Sequence, residues 1–179
     1  MTFFGGGVAF FLRHPGFRVI EVGLALVFIF HILNGIRLWF ENKAARPVKY
    51  KVSGTSKNTD FSSRTMVFTG SIVFIFLVLH LSTIWAAFNF GSHESAAAPY
   101  YNIMVEWFQS KVYALFYVFA VILLTFHLNH GFQSAFQTFG WNHNKYFPLI
   151  KKISLIYALI MGIGFASIPI YFSFFYGGN

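Results

Sequence analysis

The sequence predicts an all-α polytopic bundle of transmembrane helices, with four spans in a single domain over residues 1–179, and three observations carry that prediction. Hydrophobic residues make up 56% of the chain and charged ones only 10%, with a mean hydropathy of +0.61. A soluble domain has about a quarter of its residues charged, so this much apolar surface requires lipid as its solvent. Four apolar runs each reach the roughly 20 residues that carry a helix across a bilayer. Basic residues gather in alternate connections between those runs, the pattern of cytoplasmic loops.

The runs cover about 19–40, 66–88, 112–136 and 153–175. They are too long for barrel strands and lack strict alternation, and a helix satisfies every backbone group within lipid. The stretch before them holds Gly5-Gly6-Gly7 and Arg13-His14-Pro15-Gly16. It lacks the basic start and small-residue cleavage site of a signal peptide. It reads as a surface segment, with Pro15 and Gly16 marking the break before the first helix.

Arg37, Lys43, Arg46, Lys49, Lys51, Lys57 and Arg64 lie around the first connection, and Lys145, Lys151 and Lys152 in the third. The second has Lys111 against Glu94 and Glu106. The first and third connections are therefore expected in the cytoplasm and the chain ends outside. The net charge of +8 is then a topology signal rather than a mark of nucleic-acid binding. The basic segment 43–64 suits lipid headgroups and equally an acidic soluble partner. There are no cysteines, so a metal or cofactor must be held by His, Met or carboxylate.

Ionisable residues inside spans are costly and mark function. His31, His80 and His127 fall within spans, with His130 close by; His14, His93 and His143 fall outside them. Phe30-His31-Ile32-Leu33-Asn34-Gly35 and Phe126-His127-Leu128-Asn129-His130-Gly131 share the pattern Phe-His-x-x-x-Gly. Positions four apart lie on one helix face, so Gly35 and Gly131 leave flat gaps beside the two imidazoles. A macrocycle fits such a gap, and two histidines make a closed, electron-transferring haem centre. His31 and His127 each lie nine residues before the inner end of their span, Phe40 and Phe136. Both are then about 13 Å from the cytoplasmic edge, and one haem b could bridge spans one and three. His80 lies at another level, in the outer half. His130, one turn nearer the cytoplasm than His127, suits a propionate, a water or a partner chain better than iron. The competing reading is histidine as interhelical glue with glycine for close packing.

These residues, with Asn42-Lys43-Ala44-Ala45-Arg46-Pro47-Val48-Lys49-Tyr50, Ser63-Arg64, Leu79-His80-Leu81 and the run continuing to Gln137, resemble the cytochrome-b membrane anchor of succinate dehydrogenase/fumarate reductase (complex II). The resemblance is to the bacterial type in which one chain carries two haems, and it covers most of residues 18–143. It implies five helices in the bacterial inner membrane. If the spans match family helices two to five, His31 and His127 ligate the inner haem and His80 supplies one ligand of the outer. The family's first helix has no counterpart before Val19. An incomplete chain is the expectation, with a helix from another chain or an altered outer haem as the other accounts. The resemblance further implies cytoplasmic partners, a flavoprotein with FAD and an iron–sulfur subunit, with electrons exchanged with a quinone, menaquinone in this class. The anchor does no succinate chemistry itself. Arg37, Ser63 and Arg64 at the inner edge are candidates for the propionates, or headgroup anchors. Glu21 is a candidate proton donor at an outer quinone site, or a snorkelling side chain. The anchor of a membrane hydrogenase or formate dehydrogenase would share these features. A transporter or scaffold without haem would share the buried histidines.

Overall fold

The computed structural model describes residues 14–45, 64–90 and 99–176. Among them every regular element is a helix: α1 (Pro15–Ala44), α2 (Met66–Phe90), α3 (Pro99–Phe108), α4 (Lys111–Thr138) and α5 (Phe147–Phe175). All except α3 are long and apolar enough to cross a membrane. The chain divides into two compact units, one carrying α1 and the other α2 to α5.

Helix α1 starts at Pro15, so the Pro-Gly pair opens the helix instead of preceding it. His14 is its N-cap, its Nδ1 accepting from the Gly16 N–H at 3.2 Å. Proline is favoured at the first helical position, where its missing N–H is not needed. Apolar side chains lie on every face of α1, and none of its residues is buried. A helix apolar all round has no use for water on any side. Ion pairs mark its two ends: Arg18 with Glu21 at 2.8 Å, and Arg37 with Glu41 at 2.9 Å. Lys43 lies over the Trp39 ring near the second.

In the other unit α4 is central, packing against both α2 and α5. Antiparallel α2 and α4 follow from their contacts: Gly70 meets His127, His80 meets Tyr117, and Thr83 meets Tyr113. As one number rises the other falls. Small residues bring the helices together, with Ala114, Ala120 and Ala158 all fully buried, as expected where lipid supplies no hydrophobic drive and packing must do so. A Cβ on Gly162 would collide with Thr125, so α5 passes α4 at a distance only glycine permits there.

Two turns are wider than α-helical. Leu81–Trp85 in α2 and Tyr171–Phe175 in α5 are π-helical, closed by Ala86 N–H to Leu81 and Tyr176 N–H to Tyr171, five residues apart. The second follows Pro169, which lacks an N–H and cannot bond the preceding turn. Helix α3 packs at this end against α4 and both wide turns. From the sequence this stretch is expected as a connection only. Ile103 and Phe108 of α3 enter a core with Ile84, Ala114, Tyr117, Val121 and Phe172, while Trp107 is exposed. Tyr101 of α3 packs edge-on against Phe172. Its hydrogen bond to Tyr176, its partial burial and two neighbouring phenols push its hydroxyl up to about 12, so it stays neutral. Helix α5 starts at Phe147, ahead of the expected Ile153, so Lys151 and Lys152 lie on the helix and not in a loop. Both stay exposed.

Candidate functional site

The histidines of α2 and α4 fall at two levels of one interface. Gly70 and His80 are ten residues apart on α2, as are Tyr117 and His127 on α4. At 1.5 Å per residue the His80 and His127 levels are about 15 Å apart. His80 and His127 are thus set well apart along the interface.

At the first level a hydrogen bond joins His80 Nδ1 to the Tyr117 hydroxyl. Phe76 stacks on the His80 ring at 5.9 Å between centroids and meets the Tyr117 ring edge-on at 4.6 Å. Phe108 of α3 closes on Tyr117 from another side at 5.0 Å. One turn further along, Thr83 and Tyr113 share a hydrogen bond of 2.7 Å between their hydroxyls. Thr83 lies inside the wide turn that begins directly after His80. Such turns interrupt helices frequently at functional sites.

At the second level the His127 imidazole lies against the backbone of α2. A Cβ on Gly70 would stand 3.2 Å from its Cε1, and Nδ1 is buried. His130 and Gly131 are half-buried on the same helix. Next to them, on the side facing α5, is a polar cluster. Ser154, fully buried, approaches the Asn129 carbonyl at 2.6 Å and its side-chain oxygen at 2.7 Å. Gln133 donates to the same Asn129 oxygen at 3.0 Å. Every member of the cluster has a partner, as a buried polar group requires. The expected site did not include it, though Asn129 and Gln133, four apart on an apolar helix, are a legible signal of interhelical bonding.

His31 and Gly35 lie on an exposed face of α1. Nothing comes within 4 Å of where a Cβ on Gly35 would be, and the same is true of Gly131. Each glycine one turn after a histidine therefore opens onto free space within its own unit. Arg37 is engaged by Glu41 and Glu21 by Arg18, all of them exposed or half-exposed. Arg64 is exposed just ahead of α2, and Ser63 and His93 lie outside the described residues. His143, exposed, caps a turn by accepting from the Lys145 N–H.

The residue types present are compatible with haem. A haem iron takes histidine as an axial ligand, and lone histidines on membrane helices are the residue type for it. Among the described residues no three of His, Cys, Asp and Glu converge. A metal-bound histidine also keeps its second ring nitrogen hydrogen-bonded, and His80 has that bond through Tyr117.

Fold and composition together define a multi-pass membrane protein with histidines set inside its helices. No family model, curated protein or solved structure matches the chain.

Proposed function

We propose that this chain is the haem-carrying membrane anchor of a succinate:quinone oxidoreductase, passing electrons between an iron–sulfur partner and a quinone, menaquinone for this two-haem type, in a bacterial inner membrane. The observation that carries the reading is the repeated pair His31/Gly35 and His127/Gly131. Each puts an imidazole and an open glycine on one face of a membrane-crossing helix. The motif Asn-Lys-Ala-Ala-Arg-Pro-Val-Lys-Tyr at residues 42–50 adds the choice of enzyme.

His31 and His127 would be the residues to hold the inner haem. His80 holds half of an outer one. Bound haem supplies one-electron carriage; the chain supplies placement and tuning. Gly35 and Gly131 leave open space one turn beyond the histidines, while the His127 imidazole itself lies against α2 at Gly70. Arg37, Ser63, Arg64 and His130 are available to propionates, Arg37 by exchanging Glu41 for a propionate. Glu21, paired with Arg18 in the structure, would be the residue to exchange protons with a quinone. The basic segment 43–64 docks the iron–sulfur subunit and, through it, the FAD-bearing flavoprotein.

Haem content per chain in the complex purified from its own membranes tests this. His31→Ala and His127→Ala are each expected to remove the same b-type haem. A covalent flavin and succinate-dependent dye reduction are expected to accompany the chain. Co-purifying nickel or molybdenum would point to a hydrogenase or formate dehydrogenase instead. The bond from His80 to Tyr117 favours a second reading, a haem-free transporter or scaffold whose histidines join helices. A purified complex without b-type absorbance would establish that reading and end the first.

A further inference from the structure

We propose that Tyr117 is a positioning residue for His80, fixing the imidazole so that Nε2 serves as an axial ligand and tuning the basicity of that nitrogen. The inference rests on the haem reading above and extends it to a residue that carries no ligand atom.

Four observations converge on this one pair. The Tyr117 hydroxyl is bonded to His80 Nδ1, across from α4 to α2. Phe76 packs against both rings, and Phe108 against Tyr117, so neither ring turns without displacing a neighbour. Tyr117 is buried, which keeps water from replacing it as the partner of Nδ1. The helix widens immediately after His80, at Leu81–Trp85, where Thr83 is held by Tyr113.

The chemistry follows from the tautomer. An imidazole that ligates through Nε2 carries its proton on Nδ1, and that N–H then donates to the Tyr117 oxygen. Donation from Nδ1–H raises the electron density at Nε2 and makes it the stronger ligand for ferric iron. Such partners commonly cost 10–100-fold in metal affinity when removed. Tyr117 therefore stabilises the oxidised haem at the His80 level relative to the reduced one.

Tyr117→Phe removes the hydroxyl and keeps the ring between Phe76 and Phe108. In the intact complex, redox titration and low-temperature EPR of the b haems are measured for wild type, Tyr117→Phe, Tyr113→Phe and His80→Ala. The haem that disappears in His80→Ala is expected to show a raised midpoint potential and a shifted low-spin signal in Tyr117→Phe, or to be lost from it. The haem that depends on His31 keeps its potential and content, which shows that the variant has folded. Tyr113→Phe deletes a hydroxyl one turn away in the same interface and is expected to leave both haems as they are. The inference is overturned if Tyr117→Phe leaves potential and signal unchanged, if Tyr113→Phe shifts them equally, or if His80→Ala loses no haem. In those cases the haem assigned to His31 and His127 still stands. A wild-type complex without b-type haem removes both readings.

Discussion

At the scale of single residues, glycine has two different uses in this protein, and they can be separated by substitution. Gly35 and Gly131 face open space, whereas Gly162 faces the Thr125 side chain. Thr125 is also bonded back to the Val121 carbonyl at 2.9 Å, which restricts its retreat. Gly162→Ala is therefore expected to destabilise the α4–α5 pair by about 1–3 kcal/mol, the range for overpacking a tight contact. Gly164→Ala, with nothing within 4 Å, should be no less stable than wild type and gain up to about 1 kcal/mol from helix propensity. Thermal unfolding in detergent reads both, and equal midpoints for the two variants would refute the close approach. The sequence marked Gly35 and Gly131 because each follows a histidine by one turn. It could not mark Gly162 or Gly70, because their significance lies in the residue opposite, Thr125 or His127, and that depends on the register of two helices. The same holds for Tyr117: nothing in its neighbours along the chain announces His80. Glu21 and Arg37 were legible as charged residues near span ends, and the structure adds their partners Arg18 and Glu41.

At the scale of elements, the four spans were legible since length and apolarity alone decide them, and their centres hold within a few residues. Their ends were less so. Pro15 opens α1 and Phe147 opens α5, because capping and N-terminal proline extend helices beyond the apolar run into the interface. Helix α3 escaped because Tyr101, Asn102, Glu106 and Trp107 break the apolar run that signals a span. Ile103 and Phe108 are buried in a cluster with residues of other helices, Ile84, Ala114, Tyr117, Val121 and Phe172. The wide turns escaped for a different reason: the spans are so uniformly apolar that a shift of phase leaves no trace in the pattern. A π turn amounts to one residue inserted into an α-helix, and this makes a deletion test possible. Removing exposed Ser82 from Leu81–Trp85 should restore α geometry and keep Ile84, Ala87 and Phe88 on their inward face. Removing Val73 from the regular part of α2 should rotate everything beyond it by about 100°, taking His80 and Ile84 out of the interface. The first deletion is expected to retain most of the folded yield and the second to abolish it. Comparable losses from both would show that the turn is not an inserted residue.

At the scale of the whole molecule, the charge pattern and the histidine levels bear on the same question of which ends of the helices meet the cytoplasm. The first and third connections hold most of the thirteen basic residues; among the described ones the structure places Lys43 on the last turn of α1 and Lys151 and Lys152 on the first turns of α5. Cations at a helix N-terminus oppose the helix dipole; their retention there fits a role in fixing orientation. With that orientation the His127 level lies toward the cytoplasm and the His80 level toward the outside. On the proposed haem reading, an electron would visit those levels in turn between a soluble partner and a quinone. The absence of cysteine gives a clean background for mapping. Ser56→Cys in the first connection, Ser92→Cys in the second and Asn144→Cys in the third each introduce one thiol. In intact cells an impermeant maleimide is expected to label Ser92→Cys alone, with the other two labelled only after permeabilisation. The reverse pattern would invert the protein, placing His80 on the cytoplasmic side and depriving the basic segment 43–64 of a cytoplasmic partner. Labelling of Ser56→Cys and Asn144→Cys from opposite sides would break the even alternation of the spans and with it the four-span topology itself.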